Sequence, residues 1–200
     1  MSMHILVAGA TGKTGLHLVQ RLVDQGHKPT ALVRKGSDTS ALPSGVDLRQ
    51  GDLTDLQDGI CDGMQVVIFA AGSGGSTGAD MTEKVDRDGA KRLVDLAADA
   101  GVDRFVMLSS VGADQSDPQG EIAHYLKAKH DADEHLKASG LTYSILRPVA
   151  LTDDGRGTDV ILGEGVDKSA KAARIDVADV LADAATTGRY DGIAQDMQSC

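Results

Sequence analysis

A tyrosine and a lysine separated by one helical turn could together move a proton. Tyr125 and Lys129 lie four positions apart in a predicted helix over 121–139, so their side chains share one face. A phenol has an ordinary pKa of about 10, and a neighbouring ammonium group lowers that pKa toward neutrality. Such a pair, with a hydrogen bond from the hydroxyl of Ser109 or Ser110, could protonate the oxygen of a carbonyl group that accepts a hydride.

Two alternatives stay open for this part of the helix. His124, which precedes the tyrosine, is a second candidate proton donor. Tyr125 could also do no chemistry and pack against a sheet, because a tyrosine and a lysine at this spacing occur by chance on many helices. Either proton donor is useful for reduction when a hydride donor is bound nearby.

A site for such a hydride donor is predicted by the segment Gly9-Ala10-Thr11-Gly12-Lys13-Thr14-Gly15, between the first predicted strand and the first predicted helix. The first glycine allows a tight turn, the second lets the backbone approach a pyrophosphate, and the third lets helix and strand pack closely. Amide groups at the helix N-terminus attract the negative charge. The residues predicted to contribute to this dinucleotide site are Gly9, Thr11, Gly12, Lys13, Thr14 and Gly15.

The same segment partly resembles a loop that binds nucleoside triphosphates, through Gly12-Lys13-Thr14. That loop needs another glycine five positions before Gly12, where this sequence has Val7. The hydrophobic strand further on ends in Ala70-Ala71-Gly72 and offers no aspartate for magnesium. We therefore favour dinucleotide binding over triphosphate hydrolysis, and also over a glycine-rich turn that binds nothing.

A pair of basic residues, Arg34-Lys35, follows the second predicted strand. Proteins that prefer NAD usually place an acidic residue there, about 20 residues beyond the glycines, to hold the ribose 2′-hydroxyl. A carboxylate would repel a 2′-phosphate, whereas cations attract it, and arginine can contact it with two hydrogen bonds. Lys13 could add a third positive charge nearby. We therefore predict NADP(H) as the cofactor, with NAD(H) less favoured and a solvated strand end as the alternative.

Alternating strands and helices must position these groups. Strands are predicted over 5–8, 29–33, 46–50, 65–70, 104–108, 142–146 and 160–162, and helices over 16–26, 53–59, 81–100, 121–139 and 177–185. The alternation predicts an α/β fold of Rossmann type, a doubly wound parallel sheet with helices on both faces. We expect a single domain over 1–200, with a small cap over the ligand crevice formed mainly by 149–200.

The composition limits the function classes. The formal net charge of −10 disfavours a nucleic-acid partner. The two cysteines, Cys61 and Cys200, have no CxxC neighbour, and the histidines have no metal-ligand spacing, so we expect neither disulfides nor a bound metal. The N-terminus lacks a signal-peptide pattern and no apolar run approaches the ~18–20 residues that span a bilayer, so we expect a soluble, cytoplasmic protein without a membrane partner.

Several motifs follow one another in an order known from one superfamily. They are the glycine segment, Ala31-Leu32-Val33-Arg34, Gly51-Asp52-Leu53, Phe69-Ala70-Ala71-Gly72, Ser109-Ser110, Tyr125-x-x-x-Lys129 and Leu146-Arg147-Pro148. The sequence resembles the atypical short-chain dehydrogenases/reductases, and within them the small NAD(P)H-binding group that includes biliverdin-reductase-B-like and NmrA-like proteins. The resemblance covers nearly the whole chain and is specific for fold and cofactor. It is much less specific for the reaction, because the group includes reductases, epimerase-like proteins and cofactor sensors.

The resemblance implies positions around a bound dinucleotide. It places Asp52 and Leu53 at the adenine, Ala70, Ala71 and Gly72 beneath the adenosine ribose and pyrophosphate, Ser109 and Ser110 beside the nicotinamide, Pro148 and Val149 at its amide, and Lys129 at the cofactor ribose. Serine, tyrosine and lysine are the three partners that the superfamily uses in catalysis. Asp52 as a helix N-cap and Ser109-Ser110 as a plain strand end stay open as alternatives.

Two functions agree with these residues. The first is an NADP(H)-dependent oxidoreductase, or an epimerase-like relative, that acts on a small carbonyl or hydroxyl substrate. The second is a non-catalytic redox sensor that binds NADP(H) and acts through a protein partner, since the short C-terminal region offers little wall for a substrate pocket. The loops that would shape such a pocket, 72–80, 112–120 and 152–171, carry no signature of a particular substrate. We favour the enzyme.

Overall fold

The computed structural model describes residues 1–72 and 78–200. Its strands are β1 (His4–Ala8), β2 (Lys28–Val33), β3 (Asp47–Gln50), β4 (Val66–Phe69), β5 (Arg104–Leu108), β6 (Tyr143–Pro148), β7 (Ala150–Thr152), β8 (Val160–Leu162), β9 (Lys171–Ala173) and β10 (Ile193–Ser199). Within the described residues, eight strands form one sheet in the order β3-β2-β1-β4-β5-β6-β10-β8, parallel except for the antiparallel edge strand β8. The predicted Rossmann-type α/β fold is confirmed.

Helices cover both faces of this sheet. They are α1 (Lys13–Asp24), α2 (Ala79–Thr82), α3 (Ala90–Asp99), α4 (Ala123–Ala138) and α5 (Arg174–Thr187), and a π-helical segment, Glu83–Gly89, joins α2 to α3. In the part of the chain that the structure describes, no helix is both long enough and apolar enough to cross a membrane.

The apolar core has two layers, one on each face of the sheet, because successive side chains of the central strands point to opposite faces. Ile5 and Val7 of β1 face α1 and α5, whereas Leu6 and Ala8 face α3 and α4. All four residues of β4 are buried, as expected for a central parallel strand that is covered on both faces. The aliphatic runs read from the sequence therefore form the two apolar layers that fix the strand ends.

The short helix predicted over 53–59 is wrong. The backbone there makes turns and an isolated bridge between Asp52 and Asp55. The reason is local, because the Asp52 carboxylate accepts hydrogen bonds from both the backbone amide (2.9 Å) and the hydroxyl (2.8 Å) of Thr54. Asp52 is therefore the first residue of a polar turn, and the alternative that it caps a helix is also wrong.

The C-terminal region contributes more to the sheet than the sequence indicates. Strands β7, β9 and β10 lie outside the predicted elements, since β7 and β9 are three residues long and β10 is mostly polar. Strand β10 pairs in parallel with β6, and α5 packs beside α1. Much of the segment expected to form a cap thus belongs to the sheet and its helical layer, while β7 and β9 pair with each other outside the main sheet.

Candidate functional site

Several predicted site residues directly follow parallel strands, at the edge of the sheet where these strands end, which we call the carboxyl edge. Gly9 follows β1, Arg34 follows β2, Ala70 follows β4 and Ser109 follows β5. The strand order reverses at β1, which has β2 on one side and β4 on the other. Open α/β sheets bind ligands in the crevice at such a reversal. The topology therefore brings the predicted dinucleotide residues of distant segments to one crevice.

The glycine segment is packed too tightly for side chains at two positions. Gly9 has a φ of +84°, and a Cβ there would lie 2.6 Å from the amide nitrogen of Ala71 and 2.7 Å from the carbonyl oxygen of Ala70. A Cβ on Gly15 would lie 2.0 Å from the Gly9 carbonyl oxygen. The loop is closed by a 3.0 Å hydrogen bond from the Gly12 amide to that same oxygen. The glycine loop thus rests directly on the backbone that follows β4.

This loop leads into α1, whose first turn offers unpaired amide groups and the positive end of the helix dipole. Gly12 is the N-cap residue, with extended backbone and no side-chain cap. Thr11, Gly12 and Lys13 are exposed, whereas Thr14 and Gly15 are buried. The exposed part of the loop is therefore suited to an anion such as a pyrophosphate.

Basic side chains border an open cavity of about 380 Å³ beside the ends of β2 and β3. Its lining residues are Arg34, Lys35, Gly36, Ser37, Gln50, Gly51 and Asp52. Arg34 and Lys35 are exposed. The hydrogen bonds from Thr54 hold the pKa of Asp52 below its usual range, and the charge of Arg34 acts in the same direction. The cavity thus combines two cations with one ionised carboxylate, and Lys13 is not among its lining residues.

Leu53 and Gly72 each lie close to the helical segment that follows β4. A Cβ on Gly89 would be 2.6 Å from the Leu53 carbonyl oxygen, and one on Gly72 would be 3.3 Å from Oδ1 of Asp86. Leu53 also lines a second open cavity of about 320 Å³, with Lys84 at its rim. The predicted loop 72–80 lies partly outside the described residues. Short π-helical segments such as Glu83–Gly89 are frequent at functional sites.

The structure brings Tyr125 and Lys129 together, as their spacing predicts. The Lys129 ammonium lies 5.7 Å from the centre of the Tyr125 ring, and the ring is half-buried. Lys129 itself is 3% exposed, forms a 3.0 Å ion pair with Asp86 and donates a 3.3 Å hydrogen bond to the Leu108 carbonyl oxygen. His124 is exposed on the same helix.

The surroundings of Lys129 keep it charged. Burial alone lowers the pKa of this lysine, but attraction to Tyr125, Asp86 and Asp133 outweighs that effect and gives a net rise. The Phe69 ring lies 5.5 Å from the ammonium and adds a favourable contact with its face. Lys129 thus presents a charged ammonium group beside the ring of Tyr125.

The two serines after β5 have different environments. Ser109 is buried and its hydroxyl donates a 2.9 Å hydrogen bond to Asp133, whereas Ser110 is half-buried and bonds weakly, at 3.4 Å, to the Val111 carbonyl oxygen. Asp133 is fully buried and also accepts a 2.9 Å hydrogen bond from Arg147. Of the two hydroxyls, that of Ser110 is thus the more accessible to a substrate.

Asp133 and Arg147 were missed in the sequence. Burial raises the pKa of Asp133, and the attraction of Arg147 opposes that rise in part. A usable signal was present, because Asp133 stands one helical turn after Lys129 and therefore shares its face. Arg147 lies within the motif that ends β6, directly before Pro148 and Val149, both of which are buried.

A third group that the sequence did not single out is an aspartate after β7. Asp153 forms an ion pair with Lys13 and accepts a 2.6 Å hydrogen bond from Arg174. These contacts hold the pKa of Asp153 below its usual range, the bond from Lys13 contributing most. Lys13 therefore points to the β7 side of the crevice, away from the cavity at Arg34.

Known proteins resemble this chain in sequence and in structure. Residues 9–187 match the family described as NAD(P)H-binding. An uncharacterised sugar epimerase of Bacillus subtilis, YhfK, is 40% identical over 163 residues, which is 78% of this chain and 76% of that protein. A Bacillus halodurans structure, provisionally described as an NAD-dependent epimerase/dehydratase, has 33% identity and a TM-score of 0.91 over 100% of this chain and 95% of the other.

A third relative is named as an oxidoreductase. This structure, ylbE of Lactococcus lactis, has a TM-score of 0.85 and 27% identity, with 99% of this chain and 91% of the other covered. Residues 9–187, which match the NAD(P)H-binding family, contain the glycine loop, the Arg34 cavity and the Tyr125–Lys129 pair. The chain therefore belongs to the NAD(P)H-binding family of atypical short-chain dehydrogenase/reductase type, and its cofactor is a nicotinamide dinucleotide.

Proposed function

We propose that the protein is an NADP(H)-dependent oxidoreductase or epimerase-like enzyme that acts on a small carbonyl or hydroxyl substrate. The observation that carries the catalytic part is the buried, charged Lys129 beside the half-buried ring of Tyr125. In this proposal Tyr125 transfers a proton to or from the substrate oxygen, and Ser110 donates a hydrogen bond to that oxygen. Ser109 supports the site through its bond to Asp133. Relatives named as epimerase and oxidoreductase agree with this class of chemistry.

Removal of the Tyr125 hydroxyl is expected to abolish turnover. With Tyr125→Phe, steady-state oxidation of NADPH in the presence of a panel of small carbonyl compounds should fall at least ~100-fold, the lower range for general acid catalysis. The dissociation constant for NADPH, measured by fluorescence, should stay within about twofold, because the ring itself is kept. His124→Gln is the matched control and should retain turnover. Unchanged turnover in Tyr125→Phe, with loss in His124→Gln, would assign the proton to the histidine instead.

The preference for NADP(H) is supported by the cavity at the ends of β2 and β3. Arg34 and Lys35 are exposed there and lie where the adenosine ribose is expected. Asp52 borders the same cavity, and its Oδ1 accepts both hydrogen bonds from Thr54. The two cations are the positively charged side chains in the lining of this cavity, and in our proposal they bind the 2′-phosphate.

Replacement of both cations should remove the preference. In Arg34→Ala/Lys35→Ala, NADPH should bind at least about 10- to 100-fold more weakly than in the parent protein, since the loss of even one hydrogen bond to a charged group costs about 1.5–3 kcal/mol. NADH affinity should change less than about twofold. Fluorescence titration with each dinucleotide measures both values, and Lys28→Ala, at the opposite end of β2, serves as control. If the parent protein binds NADH as tightly as NADPH, the preference is refuted.

A second candidate function is an NADP(H)-dependent redox sensor that acts through a protein partner. It is favoured because two candidate catalytic side chains already interact with other groups. Ser109 donates a hydrogen bond to Asp133, and Lys129 forms an ion pair with Asp86. A sensor should bind a partner with different affinity in the presence of NADP⁺ and NADPH and should turn over no carbonyl compound. Steady consumption of NADPH with a defined carbonyl would exclude this function.

We further infer a reducing compartment such as the cytoplasm. Both cysteines are free in the part of the chain that the structure describes. Burial raises the pKa of the Cys61 thiol to about 12, so this thiol is a weak nucleophile in any compartment.

A further inference from the structure

Three charged side chains connect the glycine loop with the segment that follows β6. Asp153 pairs with Lys13 on one side and with Arg174, at 2.6 Å, on the other. We call Lys13, Asp153 and Arg174 the charge bridge. The side chain of Lys13 is 70% exposed and that of Arg174 is 22% exposed. Lys13 is therefore the partner that can leave Asp153 more easily.

The fold places these residues at one end of the crevice. Lys13 and Arg174 are the first residues of α1 and α5, and the two helices pack side by side. Thr152 pairs with Ala173 between β7 and β9, so the residues that directly follow, Asp153 and Arg174, are neighbours. Strand β7 itself begins two residues after Pro148. The bridge thus joins the phosphate-binding loop to the chain that leaves β6.

A dinucleotide that binds on this loop changes the electrostatic balance of the bridge. Its pyrophosphate brings two negative charges to the first turn of α1, where Lys13 is located. Lys13 then has two competing anionic partners, the pyrophosphate and Asp153. If Lys13 turns to the pyrophosphate, Asp153 keeps the charged hydrogen bond from Arg174, so its carboxylate does not lose all of its compensation. The free-energy cost of moving Lys13 from Asp153 to the pyrophosphate is therefore small.

We propose that Asp153 is a positioning residue that competes with the dinucleotide pyrophosphate for Lys13. In the free protein Asp153 holds Lys13 on the β7 side of the crevice. When the dinucleotide binds, Asp153 releases Lys13 and keeps its ion pair with Arg174. Asp153 thereby weakens dinucleotide binding by the free energy of one exposed ion pair and favours exchange of the cofactor. The proposal rests on dinucleotide binding at the glycine loop and is independent of NADP(H) preference and of catalysis.

Asp153→Asn is the direct test. This substitution keeps the size of the side chain and removes its charge, so Lys13 becomes free to meet the pyrophosphate. We expect the dissociation constants of NADPH and of NADH to fall by the same factor, about two- to fivefold, as suits an exposed ion pair. Both constants are measured by fluorescence titration, with the melting temperature as a check on folding. Asp153→Ser provides a second variant if the asparagine disturbs the loop.

Lys13→Met separates this mechanism from a general effect of charge. In a Lys13→Met background, Asp153→Asn should leave both dissociation constants unchanged, because the lysine for which the groups compete is absent. Asp154→Asn is the matched control, since it removes one charge from the same loop while its carboxylate bonds Thr152, at 2.6 Å, and not Lys13. Asp154→Asn should change neither constant.

Several outcomes would overturn the proposal. They are weaker binding in Asp153→Asn, an equal gain in the Lys13→Met background, an equal gain in Asp154→Asn, or a gain for NADPH alone, which would mean that Lys13 serves the 2′-phosphate. Absence of NADPH and NADH binding by the folded parent protein and by Asp153→Asn would overturn it together with the proposed enzyme. Equal affinity for NADH and NADPH would refute the NADP(H) preference and leave the role of Asp153 intact.

Discussion

Gly9→Ala is expected to abolish measurable dinucleotide binding. The residue has a φ of +84°, in the left-handed region that residues with a side chain rarely adopt. An added Cβ would also lie 2.6 Å from the Ala71 nitrogen and 2.7 Å from the Ala70 carbonyl, both backbone atoms that cannot turn away. The loop and the chain after β4 must therefore separate, and the crevice between them loses its shape. We expect at least ~100-fold weaker binding of NADPH and NADH, since the loss of two hydrogen bonds to the charged pyrophosphate, at about 1.5–3 kcal/mol each, would account for a change of this size.

Gly26→Ala distinguishes this contact from backbone strain. Gly26 has a φ of +79°, but its Cβ would meet no atom within 4 Å. The control should lose about 1–2 kcal/mol of unfolding free energy from strain alone and keep its dinucleotide affinity. Urea unfolding and fluorescence titration measure the two quantities. If Gly9→Ala lost no more affinity than Gly26→Ala, the close contact with the chain after β4 would not be needed for binding.

Of the substitutions considered, Arg147→Met should lower the free energy of unfolding the most. Arg147 is the ion-pair partner of Asp133, which is completely buried, and their contact is 2.9 Å. Methionine keeps most of the volume of the side chain but leaves the carboxylate without that charge. Removal of one partner of a buried pair destabilises proteins by about 3–5 kcal/mol. Urea unfolding at neutral pH should show a loss of this size, and Arg92→Met, which removes an exposed pair with Asp58, should lose much less.

The pH dependence of stability and a double substitution test whether the lost charge is what destabilises Arg147→Met. Burial already raises the pKa of Asp133, and the variant lacks the opposing attraction of Arg147, so its pKa should rise further. An acid whose pKa is higher in the folded state binds more protons there, so stability falls as the pH rises through the folded-state pKa. The deficit of Arg147→Met should thus be larger at pH 7 than at pH 5. Adding Asp133→Leu should restore much of the stability; a deficit that persists unchanged would point to packing rather than charge.

The elements that carry the cofactor loop were predictable, because each has a strong local signal. Strand β4 is a continuous aliphatic run, and Gly15 stands at a position where contacts within the loop itself exclude a side chain. The pair Tyr125–Lys129 was predictable for the same reason, since both residues lie on one helix. In each case the spacing along the chain determines the spatial relation.

The remaining features depend on partners that are distant in sequence. Strand β10 has few buried apolar residues, and it is a strand because β6 offers a parallel neighbour. Asp133 could be placed on the face of Lys129 from its spacing, but its ion pair with Arg147 forms only because α4 lies across β6. Asp153 looks like one more acid in a polar loop until α1 and α5 bring Lys13 and Arg174 to it. A pattern within a short stretch of sequence does not reveal contacts between segments that are far apart in the chain.

Helix α4 is held to the sheet by charge at two points one turn apart. Lys129 bonds Asp86 and the Leu108 carbonyl, and Asp133 bonds Ser109 and Arg147. A slide or rotation of the helix by one residue would break both sets of bonds at once and leave charges in an apolar layer. The position of α4 along the sheet is therefore fixed, and with it the position of residue 125, one turn before Lys129. A substitution at position 125 can therefore alter proton transfer while the ion pairs of Lys129 with Asp86 and of Asp133 with Arg147 still hold the helix in place.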